Sequence, residues 1–293
     1  MTNDAELVAV RANIFADAHG YIADWQTFPW HRDDEGRIQA HKAHSSQALA
    51  IDVFGAIAMS KWRDAILGRI ADVIGLPNEG PWDVKLEWTD PDRLLGERRA
   101  TQVDAIAFSA RAAILFECKF TEPGGGCSQP NKLSSGRHKG KRQCSGSYEV
   151  QVNPASGVEA RCALTGKGIR YWDHIPQVFG LDAGEDYRPC PFSGDAFQWM
   201  RNSVLAARLS SSRGIATRVV ATFADAPGLP AADKIRVGGL GHAPADPSFA
   251  IRPLSYQQIC QIIAETLDDP KYPLIDWVDR KISSSVAPVS KGS

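Results

Sequence analysis

Residues 114–122 read ILFECKFTE. Ile114, Leu115, Phe116 and Phe120 belong in the middle of a buried strand, yet Glu117 and Lys119 sit among them. A buried charge is costly unless it is paired or holds a metal. Side chains two apart on a strand share a face, so Glu117 and Lys119 project together with Leu115, and Cys118 faces the opposite way as a core residue. Upstream, TQVDAIAF (101–108) and AAILFECKF (112–120) read as two strands separated by a few residues around SARA, a β-hairpin by length and pattern. A turn around Ala110 and Arg111 brings Asp104 roughly opposite Glu117, and such cross-strand partners have Cβ atoms about 5 Å apart. Two carboxylates and an ammonium then converge on one patch of an apolar sheet.

The pattern extends outward from this hairpin. WDVKLEW (82–88) alternates like a further strand, followed by a turn-rich TDPDRLLGERR. Before it, Leu49, Val53 and Ile57, then Ile66, Ile70 and Ile74, recur at helical spacing. Ser45 or Ser46 is placed to cap the start of that run, and Gly75 followed by Pro77 stops it. Residues 1–44 read as a partly polar, extended N-terminal arm. Residues 121–190 are rich in Gly, Ser and Lys and read as a loop-like excursion. Phe197, Met200, Val204 and Leu205 restore a helix, IATRVVATFAD another strand, and SYQQICQIIAETL a final amphipathic helix. The segment 283–293 reads as a disordered tail. The domain expected is therefore 45–282, with 121–190 inserted.

Composition narrows the function classes. A net charge of −1 leaves no overall attraction to polyanions, so any nucleic-acid contact needs a local basic patch. No apolar run approaches the ~18 residues of a membrane span, and the N-terminus carries early acids with no apolar signal region. A cytoplasmic setting is the default expectation, in which six cysteines are more readily thiols or metal ligands than disulfides. There is no GxxxxGK[ST] phosphate loop and no G-x-S-x-G elbow, and GGLGHAP near Gly238 lacks the helix a dinucleotide fingerprint requires.

Two convergent carboxylates suit Mg²⁺ or Mn²⁺, a hard cation that takes oxygen ligands and keeps room for substrate phosphate oxygens. Such an ion polarises a phosphoryl group and activates water, and Lys119 can position that water or stabilise the charge that builds up. The bland alternative is a structural ion pair at a strand end.

VDAIAFSARAAILFECK resembles the core of the PD-(D/E)xK, or restriction-endonuclease-like, nucleases, in which an Asp on one strand precedes (D/E)xK on the next. FECKFTE, GIRYWDHIP and QWMRN are further similar to uncharacterised restriction endonucleases of that superfamily. The resemblance implies an α/β fold with a core of helix, three strands, helix and strand, and a mixed central sheet flanked by helices. It also implies that Asp104 and Glu117 bind metal together with the backbone carbonyl of Cys118, and that Lys119 acts on the attacking water. Gln198 on the second core helix becomes an accessory residue, with Arg201 and Asn202 nearby. The chain departs from the family in having Val103 where a Pro often precedes the Asp. It also has no Glu on the first helix, for which Glu87 on the first strand is the substitute, with Glu97 behind it.

The excursion carries Cys127, Cys144, Cys162 and Cys190, a candidate set for structural Zn²⁺ or an iron–sulfur cluster. The absence of any C-x₂-C pair weighs toward free thiols. It also carries Lys132, Arg137, Lys139, Lys141 and Arg142 with no acid among them, a basic stretch suited to tracking a nucleic-acid backbone or simply to solvation. His41 and His44, near His31, lack a completing ligand set and read as exposed polar residues. Tyr171 and Trp172 read more readily as packed anchors than as base-stacking groups.

The expectation is thus a Mg²⁺-dependent endodeoxyribonuclease of the restriction or defence type. DNA is the substrate, RNA stays open as an alternative, and so does homodimerisation. The rival expectations are a non-cleaving nucleic-acid-binding protein on the same fold and a metal-stapled interaction module.

Overall fold

A computed structural model describes residues 4–97, 99–127, 164, 169–181, 192, 196–241 and 243–286. Five strands form one mixed sheet in the order β1-β2-β3-β4-β5: Asp83–Thr89, Gln102–Phe108, Ala112–Lys119, Ala216–Phe223 and Arg252–Ser255. The first three pair antiparallel, while β3/β4 and β4/β5 are parallel. The central strand is β3, and every one of its residues is buried, which is why its sequence is almost continuously apolar.

Two apolar clusters sit on the two faces of the sheet. Ile114, Phe116, Cys118 and Phe120 join one, and Ala113 and Leu115 the other, as strand alternation requires. The first face is covered by a helical run over residues 46–59 (α2), by Arg63–Ile74 (α3) and by Tyr256–Leu267 (α7) with Pro273–Ser285 (α8). The second is covered by Phe197–Arg213 (α5) and by the short Ile175–Phe179 (α4) with Tyr171 and Trp172. The order of helix, three strands, helix, strand is the α/β restriction-endonuclease-like arrangement.

Local chemistry sets the boundaries. The Ser45 hydroxyl caps α2 by accepting the Ala48 N–H at 3.2 Å. Within α2 the residues Ile51–Gly55 widen into a π-helical turn. This brings Gly55 so close to Ala18 that a Cβ there would lie 3.0 Å from the Ala18 Cβ. Gly75, left-handed at φ 73°, ends α3. Ser255 opens α7 with a reciprocal capping box to Gln258.

Several elements differ from the sequence reading. The N-terminal segment is not an extended arm. Asp4–Ala12 is a helix (α1), two 3-10 turns follow, and Val10, Ile14, Ala18, Trp30 and Ile38 are buried in the main core. Polar residues dominate its exposed side, which hid the buried stripe. The Gly/Pro-rich loop after β4 contains Pro230–Arg236 (α6) and β5, and α8 follows the helix read as final. Ser283–Ser285 close α8, so the tail read as disordered from 283 begins as helix. Residues 287–293 lie outside the described residues. Among the described residues, no helix is long and apolar enough to cross a membrane.

Candidate active site

The register places three acids in one row across the sheet. Glu87 lies between the pairs Leu86↔Ala105 and Trp88↔Val103, hence across from Asp104. Asp104 lies one step beyond Ala105↔Phe116, hence across from Glu117. At this row the β2/β3 ladder opens: the Cys118 N–H donates to Asp104 Oδ2 at 2.6 Å instead of to a backbone carbonyl. The row also marks a change of facing. Val84 and Leu86 join the first core cluster and Trp88 the second, as do Ala105 and Val103 respectively on β2. The cause on β1 is Glu87 itself, left-handed at φ 51°. A non-glycine residue takes that conformation only when its surroundings hold it there.

Those surroundings are specific. Gln47 of α2 donates to Glu87 Oε1 at 2.7 Å, and Gln102 of β2 donates to Oε2 at 2.7 Å. His31 Nε2 lies 3.3 Å from Oε2, with its ring half exposed while the Glu87 side chain is only 3% exposed. The Gln47 oxygen accepts the His31 N–H at 2.8 Å. The first helix, expected to lack a site acid, therefore contributes the amide that holds one.

Glu117 is enclosed in the same manner. Lys119 Nζ donates to Oε1 at 2.5 Å. From α5, Gln198 donates to the same oxygen, and Asn202, one turn on, donates to Oε2 at 2.5 Å. The Gln198 oxygen accepts the Gly125 N–H at 2.7 Å, tying α5 to the segment that leaves β3. Behind this lies Glu97, which accepts hydrogen bonds from Tyr171 and Thr101, beside Arg201. Tyr171 and Trp172 are packed anchors, nearly inaccessible to solvent.

Charge follows from this geometry. The Asp104 carboxyl is pushed up to about 8, first by withdrawal from water and then by Glu117, with Lys119 pulling the other way. Asp104 is only half-buried as a residue; its carboxyl group is the shielded part. Burial works against the Lys119 charge, but Glu117 and Asp104 outweigh it and raise its pKa. Lys119 is therefore a fixed cation and no base in this arrangement. His31 is raised, chiefly by its bond to Glu87. Burial pushes the Cys118 thiol well up and leaves it inert.

Three carboxyl groups beside one lysine leave an excess of oxygen ligands, and a hard divalent cation fits that chemistry. Asn202 Oδ1 is buried, and among the described residues no donor reaches it. Among the described residues no three His, Cys, Asp or Glu groups converge on one cation position. Their oxygens are turned toward Lys119, the side-chain amides of Gln47, Gln102, Gln198 and Asn202, the Cys118 N–H and His31.

Of the excursion's cysteines, Cys127 is a half-buried free thiol packed beside the second cluster. Cys144, Cys162 and Cys190 lie outside the described residues, as do Lys132, Arg137, Lys139, Lys141 and Arg142. Cys260 is a free, buried thiol of α7.

A family model described as restriction endonuclease associating with ARP matches residues 7–236. The chain belongs to this family. The matched span takes in the whole row of acids, Lys119 and α5, and leaves β5, α7 and α8 beyond it. No match is found among the curated proteins or the solved structures. Sequence reasoning missed Gln47, His31 and Gln102 at the site. They come from three separate segments, and no local pattern marks an amide that will hold a distant acid.

Proposed function

We propose that the chain hydrolyses DNA phosphodiesters in a Mg²⁺- or Mn²⁺-dependent reaction as an endonuclease. The observation that carries this reading is the row of Glu87, Asp104 and Glu117 with Lys119 at the place where the central sheet opens. A divalent ion held by Asp104, Glu117 and the Cys118 carbonyl would supply charge neutralisation at the phosphate and an activated water. The protein's own part is positional. Gln198 and Asn202 fix the Glu117 carboxylate, Gln47, Gln102 and His31 fix Glu87, and Lys119 presents a permanent positive charge to a developing negative one. Membership of a restriction-endonuclease family supports DNA as substrate. The family description's association with ARP supports a partner for this chain as well.

The test is cleavage of supercoiled plasmid by purified protein with Mg²⁺ or Mn²⁺, beside Lys119→Ala and with an RNA control. Metal-dependent nicking abolished by Lys119→Ala is the expected result. A folded protein that cleaves neither nucleic acid across metals and salt sinks the reading. The closed hydrogen-bonding around Glu117 favours one second reading, a non-cleaving nucleic-acid-binding protein. Its signature is DNA affinity unchanged by Asp104→Ala with no cleavage by the wild type.

A further inference from the structure

The site is shut. Lys119 is 4% exposed and Glu117 1%, and the Glu117 oxygens are spent on Lys119, Gln198 and Asn202. A DNA phosphate that uses the Lys119 charge must touch it, and a sugar-phosphate backbone cannot reach a side chain sealed to this degree. Residues 121–126 lie across the lysine. Phe120, fully buried, anchors one end of this segment, and Cys127, half-buried against the second core cluster, anchors the other. Between them run Pro123 and three consecutive glycines, 124–126. A Cβ on Gly124 would stand 4.0 Å from Lys119 Cε and 4.0 Å from Trp199 Nε1, so the backbone rests on the lysine stem. The next residue is bonded twice to Gln198. The Gly125 N–H donates to the Gln198 side-chain oxygen at 2.7 Å, and the Gly125 carbonyl accepts the Gln198 backbone N–H at 3.4 Å.

We infer that residues 121–126 are a strap closed over Lys119, which must part from Gln198 before DNA enters. This deepens the nuclease reading and rests on it. The fastening is light by construction. Glycines bring no side chain to bury, Pro123, Gly125 and Gly126 face solvent, and a run of three glycines has the backbone freedom to lift between its two anchors. Gln198 keeps its hold on Glu117 in both forms and releases only Gly125. The open form is then a minor state, on the order of 0.1–10% of molecules. DNA that enters only that form draws the population toward it, and its apparent affinity is reduced by the open fraction.

The test has two arms, both read without cleavage. In wild-type protein labelled with ¹⁵N-glycine, the Gly125 amide is followed by NMR hydrogen exchange, free and saturated with a short DNA duplex in Ca²⁺. Its exchange is expected to quicken by at least about threefold once the duplex has drawn the strap open; an equal or slower rate overturns the inference. Loss of one peak in Gly125→Ala assigns the resonance. The second arm loosens the strap at Gly124, whose φ of 115° suits only glycine. Gly124→Ala strains the closed form and leaves Gln198 alone, which Gly125→Ala does not. Fluorescence anisotropy in Ca²⁺ is expected to show about 3- to 10-fold tighter binding of the duplex by Gly124→Ala. Unchanged or weaker binding overturns the inference, and the wild-type arm decides if this variant does not fold. Metal-dependent nicking with an unmoved Gly125 amide sinks the strap and leaves the nuclease. A quickened amide in a protein that cuts nothing sinks the nuclease and leaves the strap as a gate to binding.

Discussion

A left-handed glutamate within a strand costs on the order of 1–3 kcal/mol, and at Glu87 three polar side chains hold it in place. Each of the three turns toward a carboxylate, so Glu87→Gln sets an amide N–H against donors. That substitution is expected to destabilise the fold by about 1–3 kcal/mol, read as a lowered urea midpoint at unchanged m-value. Asp104 carries a pH signature. Its folded pKa is raised to about 8 from an unfolded value of about 3.9, so the fold prefers the protonated form. The stability it contributes is full in acid below the unfolded value and is lost as pH rises through about 8. In chelator, the melting temperature is expected to fall by several degrees between pH 6 and pH 9. Asp104→Asn, or added Mg²⁺, should flatten that slope; an equal slope in Asp104→Asn sinks the assignment. Asp104, Glu117 and Lys119 were legible because the two-residue period of a strand and a short hairpin fix their relation. The conformation of Glu87 was not, since WDVKLEW alternates like any strand and its left-handed turn is imposed by Gln47, Gln102 and His31 from elsewhere.

At the scale of elements, α5 presents Gln198 and Asn202 one turn apart to a single carboxylate, while its apolar side packs Met200, Val204, Leu205 and Leu209 against the sheet. The segment after β3 is fastened to it at Gly125. A Cβ there would stand 2.9 Å from the Gln198 oxygen, the far end of a flexible side chain that yields cheaply. Gly125→Ala is therefore expected to leave the melting temperature within about a degree, while pushing Gln198 aside and lowering cleavage several-fold. An unchanged rate would show that Gln198 does not depend on this contact. The capping box of α7 predicts a different outcome: Ser255→Ala should cost about 1 kcal/mol in chemical unfolding. Helices with a clear 3.6 period, such as α3, α5 and α7, could be read directly. The helix α8, with Leu274, Val278 and Ile282 inward, was passed over because charged and serine residues interrupt its stripe. The four residues of β5 carry too little pattern to be distinguished from loop.

For the molecule as a whole, the most telling contact lies on the face opposite α5. Asp52, in the π-turn of α2, accepts the Phe15 N–H at 2.7 Å and pairs with Lys281 of α8 at 2.6 Å. Lys281 also donates to the Asn13 carbonyl at 2.5 Å. Burial raises the Asp52 pKa and lowers that of Lys281, so each charge is tolerated only through the other. Lys281→Met strands the acid and is expected to cost about 3–5 kcal/mol. Adding Asp52→Asn, which still accepts from Phe15, should recover a large part of that loss in urea unfolding. The same pair orders events in time. Domains generally fold as units while the chain emerges during synthesis. Here the helix that leads into the sheet keeps a bare carboxylate inside the core until a lysine 229 positions later arrives. A ribosome-bound chain that has already released every acid of the site would still lack this counter-charge, so a potential DNA-cutting centre would mature only after α8 has docked.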